Sequence, residues 1–470
     1  MSAYADVMNR RTEILSKAGG VDYDSYRRGT IAFDWEGLMS EAVGEPGAMA
    51  AIQAEAGVGN TPLLELRNLT ELVRHNAAPG KGARIVVKDE AANPSGSFKD
   101  RRAVPSAYEA ERLGFHGLVA ATSGNYGAAV ASQAAHRRLR AIVVQETFDG
   151  EGRGQPEILE KGRKCEALGA EVLQTSVGPE LFYMLLRTLD ETGYFNASLY
   201  TPFSIAGIET LGYELVQQVR DRYGRDPSVV LATHAGGGLV TGTAMGMRRA
   251  GALDSKLIAV SVDLHGLHMA SDRDFNRKSF TTGHTGFSLP FTTWPDRVDV
   301  PLNAARPLRF IDRMVSVSQG TVFFVTELLA RLEGLERGPA GNTSLAAALV
   351  IAAELDRDEI VVVNETEYTG AGKSPVSQLD FARSMGVEVQ SGRSSGDKPG
   401  ELIVIPTSLD EVEIEEIALE PIRRSYIRNT LKHHQTTPAA FLAADWEFVA
   451  VETGLSVDAV KGLALEAAQK

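Results

Sequence analysis

Residues 227–242 read PSVVLATHAGGGLVTG. The apolar run Val229, Val230 and Leu231 has the composition of a buried strand, and Gly236, Gly237 and Gly238 end it before a helical pattern resumes at Leu239. Three consecutive glycines let the backbone wrap closely around an anion, and the start of the following helix favours a phosphate there. The Walker pattern GxxxxGK[ST] is absent, so a nucleoside triphosphate is not the expected ligand. Taken alone, such a turn is also ordinary structural punctuation.

Outward from it, short apolar strands alternate with amphipathic helices. ARIVVKDE (83–90), GLVAA (117–121), AIVVQE (141–146), AEVLQT (170–175), LIAVSVD (257–263) and EIVVVNET (359–366) read as strands. Helices are expected over 105–113, 128–139, 156–168, 179–191, 204–224, from Leu239, and over 342–356. Several strands are apolar throughout, which predicts an α/β fold with parallel sheets covered on both faces.

Composition narrows the function. Of 470 residues, 43% are hydrophobic and 23% charged, as in globular proteins. Lysine and arginine number 48 against 61 acidic residues, a formal charge of −13, which argues against nucleic-acid binding. The single cysteine, Cys165, allows no intrachain disulfide and suits a reducing, cytoplasmic setting. It falls inside a predicted helix, as a packing residue does. The opening MSAYADVMNRRTEIL lacks the apolar core of a secretory signal, and no apolar run of about 18 residues predicts a membrane span. No histidine–carboxylate spacing suggests a metal site. Among the histidines near strand ends (His234, His265, His268), His234 is the one to watch, one residue before the glycine loop.

Two further loops also join a strand to a helix, where open α/β sheets bind ligands. In NPSGSFKDRRA (93–103) the turn formers Asn93, Pro94, Ser95 and Gly96 lead to Phe98 and Lys99; a solvated lysine is the simpler reading of that stretch alone. In TSGNYG (122–127), Thr122, Ser123, Gly124, Asn125 and Tyr126 open a helix whose first N–H groups offer a seat for a carboxylate. A nucleophilic amine, a carboxylate seat and a phosphate cradle together describe a site for pyridoxal phosphate, whose aldehyde takes the amine and whose phosphate takes the glycines.

SGSFKDR, TSGNYG and GGGLVTG, in that order, resemble the fold-type II pyridoxal-phosphate enzymes of the threonine synthase and tryptophan synthase β-chain class over roughly residues 55–385. The resemblance implies two three-layer α/β domains with the active site between them. The expected division is an N-terminal extension over 1–55, a core over 56–385 and a C-terminal extension over 386–470. Within the core, a smaller domain of about 100–205 is inserted into a larger one made of 56–99 and 206–385. It also implies that Lys99, behind Phe98, is the Schiff-base lysine, that Asn125 holds the cofactor's 3-hydroxyl, and that Gly236, Gly237, Gly238 and Leu239 bind its phosphate. Thr122, Ser123, Gly124 and Tyr126 then serve the substrate. A serine or threonine usually faces the pyridine nitrogen in this class. VVVNETEYTGAGKSP (361–375) favours Thr369 by its threonine, glycine, one residue, glycine pattern, with Thr366 second because the extra ETEY departs from the family.

Longer stretches, GVGNTPLLELRNLT (57–70), KDEAANPSGSFKDRRA (88–103), QPEILEKGRKCEALGAEV (155–172) and ETGYFNASLYTPFSIAGIETLGYE (191–214), resemble the β-subunit family of the 2-amino-4-oxopentanoate thiolases, of ornithine breakdown. That implies cleavage of this keto amino acid by coenzyme A into alanine and acetyl-CoA, a separate small α subunit, and, from the wider class, a homodimer of this chain. A threonine synthase-like lyase or β-replacement enzyme is the alternative, and a non-catalytic cofactor-bound scaffold the alternative of another class. The acidic block 410–420 and the basic block 423–434 (RRSYIRNTLKHH) read as solvated helix faces. The basic one, with Arg423 and Arg424, is also a candidate for coenzyme A phosphates or a partner subunit.

Overall fold

A computed structural model describes residues 3–468 apart from 45, 123, 150–151, 177, 179, 263–291, 295, 369 and 371–373. The alternation of strands and helices builds two main sheets. Seven strands form the larger one, in the order β1 (Leu63–Glu65), β2 (Arg84–Asp89), β10 (Ile360–Glu365), β7 (Val229–Thr233), β8 (Lys256–Val262), β9 (Arg313–Val317) and β13 (Ile414–Glu416). From β2 to β9 neighbours run parallel; β1 and β13 close the edges antiparallel. The smaller sheet is wholly parallel, in the order β5 (Glu171–Ser176), β4 (Arg140–Phe148), β3 (Gly117–Thr122) and β6 (Phe195–Asn196). A separate parallel pair joins β11 (Glu388–Ser391) to β12 (Leu402–Ile405).

Period-two geometry sends alternate residues of each central strand to opposite faces, so a fully apolar strand needs cover on both. In β10, Val361 and Val363 pack under helices Gln319–Glu333 and Pro339–Glu354, while Val362 faces the cluster built on Pro202–Tyr223 and Gly238–Arg249. The small sheet is covered on one face by Lys99–Arg112 and Asn125–His136, and on the other by Glu180–Thr192 with the N-terminal helices Ala3–Asn9 and Arg11–Gly19. Those two N-terminal helices lie in a stretch without clear periodicity, and they owe their place to this packing. Likewise β13 comes from the acidic block expected as a solvated helix face; there it pairs with β9 instead, Ile414 packing on the core.

One helix begins earlier than its sequence suggests. The expected helix spans 105–113, yet the helix runs Lys99–Arg112 with Pro105 inside it. Proline removes the N–H that would bond the carbonyl four residues back, that of Arg101. Here the Gln53 side-chain amide donates to that carbonyl at 2.9 Å and to the Gly207 carbonyl at 2.7 Å. A Cβ on Gly207 would collide with the same Arg101 carbonyl, so only glycine permits this approach. Among the described residues no helix is long and apolar enough to cross a membrane.

Candidate active site

The turn before Lys99 is held from several directions. The Gly96 N–H donates to the Asn93 carbonyl at 2.7 Å, and Gly96 itself sits at φ +79°, a conformation glycine adopts freely. The Phe98 N–H donates to the Thr366 carbonyl at 3.0 Å, and the Tyr368 N–H to the Gly96 carbonyl at 2.8 Å, which ties the turn to the end of β10. The Asp100 carboxylate accepts the Ser95 N–H at 2.6 Å; burial pushes this carboxyl up to about 6, partly offset by its hydrogen bonds to Ser95 and Gln133. Lys99 opens the helix with its ammonium 4.2 Å from the Phe98 ring centroid.

Behind this turn lies a buried ionic network. Both carboxylate oxygens of Glu90 accept from Arg101, at 2.7 and 2.8 Å, and Glu214 accepts from Arg101 at 3.1 and 3.2 Å. Lys88 donates to Glu214, to the Thr61 carbonyl at 2.6 Å and to Gln218 at 2.9 Å. Burial would push the Glu214 carboxyl up, but the charges and hydrogen bonds of Arg101 and Lys88 outweigh it and bring it down to about 2. Because Glu90 also accepts from Asn93 at 2.8 Å, the network anchors the first residue of the turn.

Lys99 opens into a cavity of about 170 Å³ between the two sheets. Of the residues expected at the site, Phe98, Lys99, Thr122, Gly124, Asn125, Tyr126, Gly236, Gly237, Gly238 and Leu239 all line it, as does Thr366. Ser123, Thr369, His265 and His268 lie outside the described residues. His234 does not line the cavity; it is buried, its Nε2 2.6 Å from the Thr292 hydroxyl, and burial pushes it down to about 4. Cys165 is buried beneath Gly127, and its thiol is pushed up to about 12 by desolvation, as suits a packing residue. Among the described residues no group of histidine, cysteine and carboxylate side chains is placed to hold a metal.

The glycine loop leaves room only for backbone. A Cβ on Gly236 would run into the Tyr200 hydroxyl, and one on Gly238 would lie 2.5 Å from the Arg102 guanidinium. Gly237 sits at φ +84° against Pro307, which excludes a side chain twice over. Helix Gly238–Arg249 starts at this point, and the first N–H groups of a helix have no partner within it. Arg102 stands beside them. Its Nε donates to the Ser204 hydroxyl at 2.8 Å, and burial pulls its pKa down to about 10. Helix Asn125–His136 also begins at the cavity, and a Cβ on Gly124 would lie 2.8 Å from the Lys161 ammonium, which pairs with Glu157. An anion cradle, an amine and a second helix start therefore share one cavity, and these residues fit pyridoxal phosphate.

Sequence reasoning missed Arg102, Lys161, Tyr200 and Arg297, all in the cavity wall. Arg102 had a signal: three residues beyond Lys99 on a helix, it shares that lysine's face. Tyr200 and Arg297 reach the cavity only through tertiary contact, the Arg297 guanidinium stacking 4.0 Å from the Tyr200 ring centroid.

Residues 54–366 match the family described as pyridoxal-phosphate dependent enzyme. A 2-amino-4-ketopentanoate thiolase beta subunit from an unknown prokaryotic organism is 60% identical over 459 residues, covering 98% of this chain and 97% of that one. Another, from Acetoanaerobium sticklandii, is 56% identical over 460 residues with the same coverage. The solved structure of a threonine deaminase from T.th. superposes with a TM-score of 0.52 at 27% identity, covering 69% of this chain and 99% of that one. The chain belongs to the pyridoxal-phosphate-dependent enzymes and, among them, to the 2-amino-4-ketopentanoate thiolase beta subunits.

Proposed function

We propose that this chain catalyses the coenzyme A-dependent cleavage of 2-amino-4-oxopentanoate to alanine and acetyl-CoA, together with a small α subunit, in ornithine breakdown. The observation that carries the reading is the convergence of the Lys99 amine with two helix starts on one cavity, in a chain 60% identical to a thiolase beta subunit. The net reaction breaks the C3–C4 bond of the keto acid and joins C4 to the coenzyme A sulfur. C3 takes up a proton, and the thiol gives one up.

In this reading Gly236, Gly237, Gly238 and Leu239 hold the cofactor's phosphate, and Asn125 its 3-hydroxyl. Thr369 faces the pyridine nitrogen, with Thr366 as the alternative. When bound, pyridoxal phosphate supplies an electron sink next to the amino-acid nitrogen. Thr122, Ser123 and Gly124, at the start of helix Asn125–His136, seat the substrate carboxylate, with Tyr126 below them. Lys99 Nζ takes the α proton and later returns one to the product carbon. Arg102, beside the glycine loop, adds a positive charge near the proposed phosphate seat. Two copies of this chain per assembly, and a cytoplasmic setting consistent with one buried cysteine, complete the proposal.

The test is acetyl-CoA formation from 2-amino-4-oxopentanoate by this chain with its α subunit. Lys99→Ala should lower turnover by about 10³-fold or more and abolish the visible absorbance of lysine-bound cofactor. Activity on phosphohomoserine or O-acetylserine without coenzyme A would replace this substrate with that of a lyase or β-replacement enzyme.

A further inference from the structure

A second cavity, of about 460 Å³, is lined in part by Thr241, Met245, Arg248 and Arg249. Helix Gly238–Arg249 borders both spaces: its first turn lines the Lys99 cavity, and its last turn brings Arg248 and Arg249 to the second. From Gly238 to Arg248 the helix rises about 15 Å. Arg306 and Arg309 enter from the segment around Pro307, and Trp35 from the N-terminal region.

Four guanidiniums thus meet in one cleft together with aromatic surface. The Arg248 and Arg309 guanidiniums lie 4.6 and 5.4 Å from the Phe310 ring centroid, and that of Arg306 lies 5.1 Å from Trp35. Arg249 pairs with Glu209, Arg306 with Glu452, and Arg309 with Glu36 at 2.6 Å. The Glu36 side chain is 68% exposed, so that pair opens readily. Arg248 is exposed and, among the described residues, has no carboxylate within ion-pair distance; partial desolvation and then the Arg309 charge lower its pKa, against the pull of Asp312. Arg248 therefore remains the cation of this cleft without a carboxylate among the described residues, and guanidinium forks match phosphate oxygens two at a time.

We propose that this cleft binds the adenosine 3′,5′-bisphosphate end of coenzyme A, its pantetheine arm running along helix Gly238–Arg249 toward the Lys99 cavity. The proposal rests on the acyl-transfer reading above and locates its second substrate. Arg248 and Arg309 hold the phosphates, displacing Glu36, and Phe310 offers a face to the purine. The extended arm of coenzyme A is long enough to carry its thiol past one helix of this length. The basic segment 423–434 is differently placed: Arg424 is already held by Glu420 and Glu466, at 2.6 and 2.7 Å.

The experiment measures steady-state kinetics of the complete complex carrying Arg248→Ala and Arg309→Ala together, with cofactor absorbance and thermal unfolding as checks on folding. The expected result is a KM for coenzyme A raised roughly tenfold or more, an unchanged KM for the keto acid, and an intermediate value in Arg248→Lys. Adenosine 3′,5′-bisphosphate should compete with coenzyme A in the wild type and lose most of that effect in the double variant. An active double variant with an unchanged KM for coenzyme A and unchanged inhibition overturns the site and leaves the thiolase reading standing. A wild-type complex that forms no acetyl-CoA overturns that reading, and the site with it.

Discussion

Two buried groups of charges touch the turn that presents Lys99. On one side Lys88, Glu90, Arg101 and Glu214 share a network in which each charge meets an opposite one, and Thr61, Asn93 and the backbone N–H groups of Asn60 and Thr61 supply further hydrogen bonds. On the other, Asp89 pairs with Arg337 at 2.5 Å, while the wholly buried Glu365 forms no ion pair among the described residues. Burial, reinforced by the charges of Glu367 and Asp89, raises the Glu365 carboxyl well above its ordinary value, against the pull of Arg337. One group is balanced and fastens the turn. The other places a carboxyl that burial holds above its ordinary value one residue from the cavity wall at Thr366. The same residue types thus serve stability in one place and local electrostatics in the other, according to whether each buried charge finds its opposite.

Breaking the balanced network should have the largest effect. Arg101→Ala removes both hydrogen bonds and the paired charge from the buried Glu90, leaving it only the influence of Lys88 as counter-charge, and the loss expected is about 3–5 kcal/mol, read as a lower unfolding temperature by calorimetry. Acid should weaken the same network more gently. The Glu214 carboxyl is depressed from 4.5 to about 2, so its contribution is complete above about pH 4.5 and is lost as pH falls through about 2. Glu214→Gln should flatten that part of the stability profile. An unchanged profile in the variant would remove Glu214 from the account.

Glu365 should behave in the opposite sense. Its folded value is raised, so stability is greatest below the ordinary 4.5 and falls as pH rises toward that folded value. Glu365→Gln should change the maximum stability by less than about 1 kcal/mol and remove that decline. If the variant instead unfolds as readily as Arg101→Ala, Glu365 is paired and the contrast between the two groups fails.

Much of this was legible in the sequence wherever one local signal sufficed. The apolar runs of β7 and β10 and the three glycines after His234 correctly announced strands, a turn and a helix start, because period and glycine content act over a few residues. Lys99 stood out only once its loop was set beside TSGNYG and the three glycines, because its turn formers alone fit a solvated lysine equally well. The true start of its helix was not legible, since Pro105 is tolerated only because Gln53, far away in sequence, satisfies the Arg101 carbonyl. Strand β13 was hidden for a similar reason: its three residues, Ile414, Glu415 and Glu416, carry one apolar position and become a strand only beside β9. The cavity walls from Tyr200 and Arg297, and the arginine cleft with Trp35, depend on packing between distant segments, to which no local pattern points.

The most direct test of the central claim follows the absorbance of the complete complex and its product together, as 2-amino-4-oxopentanoate and then coenzyme A are added. The account predicts a visible cofactor band that needs Lys99, a change of that band with the keto acid alone, and acetyl-CoA only after coenzyme A is present. A band that ignores the keto acid but responds to phosphohomoserine or O-acetylserine would contradict the proposed substrate, and a protein that binds no pyridoxal phosphate would contradict the site itself.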